Sequence, residues 1–217
     1  MSSANEHYLS SSIGEYDRPV GELSGPAIWY GASMAMQENQ WLYTFNDREI
    51  EELDFALQGV KSRGVKILDM TSEDFPLPSL GRVFEEVRQE LLHGRGFKQF
   101  RGLPVERYSI EDSALIYFGI GMHFGLALPQ NAKGHMLGHV KDIGRHEFDT
   151  NSRIYQTRAR QTFHTDTCDI VGLLCLQTAK SGGESAIVSS GSVYNEVLRR
   201  RPDLLPLLFK PYATDWR

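Results

Sequence analysis

His164 and Asp166 stand two residues apart in the stretch TFHTDTCDIVGLLCLQTAKSGGES, which runs from Thr162 to Ser185. Along an extended chain, side chains at i and i+2 leave the same face. An imidazole and a carboxylate projecting together from one strand end suit a first-row divalent metal. A second histidine from a distant strand would complete the two-His, one-carboxylate facial triad of non-haem Fe(II) oxygenases, whose three open positions take O2 and a bidentate co-substrate. With seven histidines in the chain, a His-x-Asp triplet arises about 0.4 times by chance. The plain alternative is a strand-end histidine hydrogen-bonded to a nearby carboxylate. A Cys168–His164 nucleophilic pair is the poorer chemistry. On one strand face those two residues lie roughly 13 Å apart at Cα, too far for proton transfer.

The elements that must position this pair are legible in part. Asn46 and Glu49 have the spacing of a capping box. Ile50, Leu53, Leu57 and Val60 follow at helical intervals, and Gly64 closes the helix. A second helix is expected from about Ser79 to His93, with Leu80, Val83, Phe84, Val87 and Leu91 as its apolar stripe. Phe97–Arg101 reads as a short strand before a Gly-Leu-Pro turn. Ser109 caps a third helix, Ile110 to about Phe124. Beyond Tyr155 the pattern turns to β: Ile170–Leu176 and Ser185–Val188 read as strands about a Gly182-Gly183 turn. The last helix, broken at Pro202, is expected to turn Val193, Val197 and Leu198 inward. Helices first and strands after predict an α+β protein, with helices flanking a sandwich or barrel-like sheet. Residues 1–25 are expected to form a flexible arm, and residues 26–217 a single domain.

Composition bounds the partners. The chain is 217 residues long, 41% hydrophobic and 24% charged, with a net charge of −5. That balance argues against a general nucleic-acid surface. The run Arg199-Arg200-Arg201 is read as a solvated helix end. Two cysteines, Cys168 and Cys175, are too few for a disulfide framework. The first residues lack an apolar leader core, and no run of about 18 apolar residues is present. A cytoplasmic protein acting on a small molecule, away from nucleic acid and membranes, is the expectation.

The order Phe163-His164-Thr165-Asp166, then the apolar run Ile170–Leu176, then Gly182-Gly183-Glu184-Ser185, resembles the taurine dioxygenase-like (TauD/TfdA) family of Fe(II)/2-oxoglutarate oxygenases. Tyr194 and Asn195 in the following helix are similar too, as is the earlier stretch Gly96-Phe97…Arg101-Gly102-Leu103. The resemblance runs from about Ile50 to the last residue. It implies a double-stranded β-helix, the clavaminate synthase-like jelly roll, with helices packed outside. It implies His164 and Asp166 as Fe(II) ligands, and a reaction of O2 and 2-oxoglutarate that releases succinate and CO2 and oxidises, by hydroxylation in the usual case, a small organic substrate. Ser185 stands where the family places a threonine that contacts the co-substrate carboxylate, and its hydroxyl can make the same hydrogen bond. Asn131 and Arg160 fall in stretches where the family builds its substrate pocket. A turn residue and a strand-edge charge are their plainer readings.

The resemblance also implies a distal histidine and, some residues on, an arginine for the far carboxylate of 2-oxoglutarate. His164 is the last histidine here, and the later arginines are Arg199, Arg200, Arg201 and Arg217. The barrel is therefore expected to be incomplete, with an open edge that a second copy or a partner chain would cover. His135, His139 and His146 are the earlier histidines that loops could carry toward the pocket. Two readings stay open: the oxygenase, and a catalytically incomplete relative acting as a binding module.

Overall fold

The computed structural model describes residues 21–131, 134–146, 148, 152–166 and 168–210. Two helical turns, α1 (Gly31–Ala35) and α2 (Glu38–Trp41), lead into strand β1 (Leu42–Thr44). There follow α3 (Asp47–Arg63), α4 (Leu80–His93), strand β2 (Gln99–Arg101), α5 (Ile110–Gly121) and α6 (Ser190–Arg200). The chain divides into two compact units, one of Ala35–Ile187 and one formed by residues 1–34 with 188–217.

In the larger unit, α3 begins as its spacing predicts. Asn46 is extended, and its side chain accepts from the Glu49 amide at 3.1 Å, while the Glu49 carboxylate accepts from the Asn46 amide at 2.9 Å. Gly64, at φ 66°, ends the helix in the left-handed conformation that glycine adopts freely. The face so aligned buries Leu53, Leu57 and Val60, and α4 adds Leu80 and Phe84 to the same core. Each such side chain contributes about 1.5–3 kcal/mol on leaving water. α4 is capped from outside. Its Ser79 makes no side-chain cap of its own, and Glu52 of α3 takes the amides of Ser79 at 2.9 Å and Leu80 at 3.2 Å.

β1 and β2 pair in parallel, Tyr43 opposite Phe100, which their separation by two helices permits. Phe45 and Phe100 stack with ring centroids 5.5 Å apart, and Phe84 meets Phe100 edge-on at 5.6 Å. α5 lies on the core through Ile116 and Phe118. It needs Gly119, because a Cβ there would stand 2.4 Å from the Phe75 ring.

In the smaller unit, α6 holds residues 21–29 through polar side chains. Asn195 accepts from the Leu23 amide at 2.8 Å and donates to the Leu23 carbonyl at 2.8 Å. Ser192 donates to the Trp29 carbonyl at 2.7 Å, and Ser189 to that of Ala27. The expected inward face is thus corrected: Ser192, Tyr194 and Asn195 are buried, while Val193 is 42% exposed. The reason is the neighbour. A peptide backbone offers N–H and C=O groups, so hydrogen-bonding residues face it. Leu23 lies inside the expected 1–25 arm and is held in this way; residues 1–20 fall outside the described set. The arginines at the end of α6 are paired, Arg199 and Arg200 with Glu196 and Arg201 with Asp203.

The expected strands Ile170–Leu176 and Ser185–Val188 are not strands in this structure. Among the described residues, no backbone–backbone hydrogen bond involves positions 158–188. An apolar extended segment becomes a strand when a neighbour takes its ladder bonds, and no described segment does so here. Val171, Leu173 and Ile187 are accordingly exposed. The helix expected to reach Phe124 ends at Gly121, and the strand expected over Phe97–Arg101 is shortened to Gln99–Arg101.

Candidate metal centre

His164 and Asp166 lie in the irregular segment that follows the 3-10 turn Ile154–Gln156. Their side chains face one another. His164 Nε2 is 3.9 Å from Asp166 Oδ1, and the two side chains are 48% and 53% exposed. Nitrogen and carboxylate donors sit about 2.0–2.2 Å from a small divalent ion, so donors this far apart are within reach of one cation.

The neighbours of His164 set its tautomer. Nδ1 lies 2.8 Å from the Thr162 carbonyl oxygen, which only accepts, so Nδ1 carries the proton. In the neutral ring Nε2 is then the lone-pair nitrogen, and the Gln161 side-chain amide donates to it across 3.1 Å. A ring N–H given to a backbone carbonyl is the usual outer-shell support of a metal-ligating histidine. Gln161 and Thr162 were missed in the sequence. A glutamine three residues before a histidine carries no signal, and a carbonyl contact carries none at all.

The other candidate residues are placed as follows. Asn131 serves its own turn: its side chain contacts His135 Nδ1 at 3.0 Å and accepts from the His135 amide at 3.3 Å. Arg160, four residues before His164, is exposed. Ser185 is also exposed and follows Gly182 and Gly183, which take φ of 71° and 79°. Two successive left-handed residues explain why the turn is Gly-Gly. Neither Arg160 nor Ser185 is hydrogen-bonded or ion-paired to His164 or Asp166 among the described residues.

Of the earlier histidines, His123, His135 and His146 have contacts of their own. His146 lies against Phe148 with centroids 5.3 Å apart. His123 Nε2 contacts the Phe75 carbonyl at 2.9 Å, and its ring flanks Phe84. Among the described residues, no cluster of three His, Cys, Asp or Glu side chains could hold a metal ion. His164 and Asp166 bring two donors together, and no third donor is grouped with them among the described residues. Cys168 and Cys175 are free and exposed.

Residues 62–217 match the Taurine catabolism dioxygenase TauD, TfdA family. The chain belongs to that family. FR-33289 synthase of Streptomyces rubellomurinus (strain ATCC 31215) is 30% identical over 196 residues, covering 90% of this chain and 58% of that protein. Taurine hydroxylase-like protein SAT17 of Stachybotrys chartarum (strain CBS 109288 / IBT 7711) is 29% identical over 204 residues, covering 90% of this chain and 52% of that protein. The chain thus spans little more than half the length of these relatives. The resemblance read from the FHTD and GGES stretches is borne out. Family membership implies a jelly-roll fold; the described helices and two-stranded sheet neither add to that nor conflict with it. No helix among the described residues is long and apolar enough to cross a membrane.

Proposed function

We propose that this chain carries the first half of the active site of an Fe(II)/2-oxoglutarate-dependent oxygenase, and that His164 and Asp166 are two of its three iron ligands. The supporting observation is the pair itself: Nε2 stands 3.9 Å from a carboxylate oxygen, and Nδ1 lies 2.8 Å from the Thr162 carbonyl oxygen. Bound there, iron with 2-oxoglutarate would supply the oxidising power to break an unactivated C–H bond, with release of succinate and CO2.

The chain's own groups do the holding. Thr162 fixes the imidazole plane, and Asp166 supplies the negative charge that favours a cation over water. Gln161 occupies Nε2 until a cation displaces its amide. Ser185, on a turn that two glycines fold back, offers a hydroxyl to a co-substrate carboxylate. Arg160 offers a guanidinium to an anionic substrate group. One relative's name, taurine hydroxylase-like protein, speaks of taurine, whose sulfonate is such a group, and an anionic small molecule is the substrate class this arrangement suits.

The test is anaerobic addition of Fe(II) and 2-oxoglutarate to the purified chain. A visible metal-to-ligand charge-transfer band is expected, which decays on admitting O2 as succinate forms. If wild-type chain gives neither band nor succinate, the binding-module reading replaces the enzyme.

A further inference from the structure

We infer that Tyr117 is a positioning residue for the His164–Asp166 pair, because its hydroxyl occupies the place where residue 172 would carry a Cβ. The inference rests on the metal reading above. Residues 158–188 have no backbone–backbone ladder to hold them among the described residues. Their placement must come from side-chain packing, and Gly172 shows where one such contact is made. A Cβ built on Gly172 would stand 2.7 Å from Tyr117 Oη, and 3.5 Å from the ring carbon that bears it. Real Cβ atoms do not approach so closely. Any side chain at position 172 must push the segment off α5 or the ring out of its seat.

Tyr117 is fitted for this part. It projects from α5, whose neighbouring residues Ile116 and Phe118 are buried in the core. Burial pushes its phenol pKa above the ordinary value, so the hydroxyl stays protonated and neutral where it meets the glycine. A stiff aromatic with two torsions costs little entropy to fix, unlike a long flexible chain. From Gly172 the chain runs back six residues to Asp166 and eight to His164. The contact thereby links a rigid helix to the otherwise unladdered segment that also carries the ligand pair. Gly172 would be the complementary half of the device, chosen for the absence of a side chain rather than for backbone freedom, since its φ is not positive.

The device predicts a rescue. Gly172→Ala sets a methyl against the hydroxyl, and Tyr117→Phe in the same chain removes that hydroxyl and returns the space. Two readouts are taken on the full chain and its three variants. Amide nitrogen NMR order parameters of residues 168–176 report the segment. Co(II) alone, followed by its visible d–d absorption, reports the ligand pair. Gly172→Ala is expected to lower the order parameters there from a rigid value of about 0.85 to below about 0.6, as release of a packed segment does. It is also expected to weaken Co(II) binding by about ten-fold or more, as loss of outer-shell support does. Tyr117→Phe alone should leave the order parameters in the rigid range and Co(II) affinity within about two-fold, and the double variant should return both to those ranges.

Order parameters that are the same in wild type and Gly172→Ala would overturn the inference, and so would a double variant as perturbed as Gly172→Ala. Normal rescue of the order parameters with Co(II) affinity equal in all four chains would leave packing without positioning, and would also overturn it. A wild-type chain with no saturable Co(II) binding would instead overturn the metal reading, and with it the ligand pair that Tyr117 is inferred to position.

Discussion

His164 meets three groups, and each makes a different demand on it. The Thr162 carbonyl accepts the Nδ1 proton, the Gln161 amide donates to Nε2, and Asp166 stands 3.9 Å off. Metal binding must break the Gln161 bond while keeping the other two relations. Replacing His164 or Asp166 by alanine should therefore weaken Co(II) binding by well over the roughly ten-fold that loss of a supporting partner costs. Titration calorimetry at fixed pH is the measurement, and an unchanged affinity would remove the pair from the coordination sphere. Gln161→Ala should act in the opposite direction. A neutral hydrogen bond is worth about 0.5–1.5 kcal/mol net, so removing the competitor should tighten binding by about two- to ten-fold. Weaker binding in that variant would make the amide a support of the bound state.

At the scale of elements, α3 organises its surroundings through three carboxylates in its first half. Glu49 takes the Tyr43 hydroxyl, Glu52 caps α4, and Asp54 takes the Tyr108 hydroxyl at 2.8 Å. Burial chiefly, and then the bond to Glu49, push the Tyr43 pKa up to about 12 from 10.0; burial and Asp54 raise Tyr108 in the same direction. A proton held more tightly in the folded chain than in the unfolded one stabilises the fold below the unfolded value. That contribution is lost as pH rises from 10.0 through about 12. Urea unfolding across that window should show stability falling with pH, and the fall should be shallower in Tyr43→Phe. An equal slope in both would mean that the phenol is not what titrates. These links also mark what a sequence discloses. The Asn46–Glu49 box and the Gly64 stop depend on residues a few places apart, and both stand as their spacing predicts. Strand β1 is three residues long and carried no turn signal, so only its pairing with Gln99–Arg101 reveals it. Ile170–Leu176 has the composition of a strand, but a strand is made by its neighbour and none is described. The His164–Asp166 spacing was readable because a period of two is a local rule. The tautomer was not, because it is set by a carbonyl that every residue possesses.

Across the whole molecule, the long-range closure is made by polar side chains. Residues 21–29 and 189–195 are more than 160 positions apart, yet Ser189, Ser192 and Asn195 bond the backbone of Ala27, Trp29 and Leu23. Periodicity pointed to the apolar residues of α6 because it assumes an apolar neighbour, whereas the face that meets residues 21–29 is polar. Asn195 is the test of this closure. It is 3% exposed, and it satisfies both the amide and the carbonyl of Leu23. Asn195→Ala removes both hydrogen bonds from the half-buried Leu23 backbone, at a cost of about 0.5–1.5 kcal/mol for each. Asn195→Asp keeps the acceptor but sets a second oxygen against the Leu23 carbonyl, so it should not restore the wild-type value. Because this closure lies within the smaller unit, hydrogen exchange should quicken at residues 21–29 and in α6. The amides of α3 and α4, which belong to Ala35–Ile187, should keep their protection. Loss of protection in α3 and α4 to the same extent would show instead that the chain unfolds as one cooperative body, with residues 21–29 part of its common core.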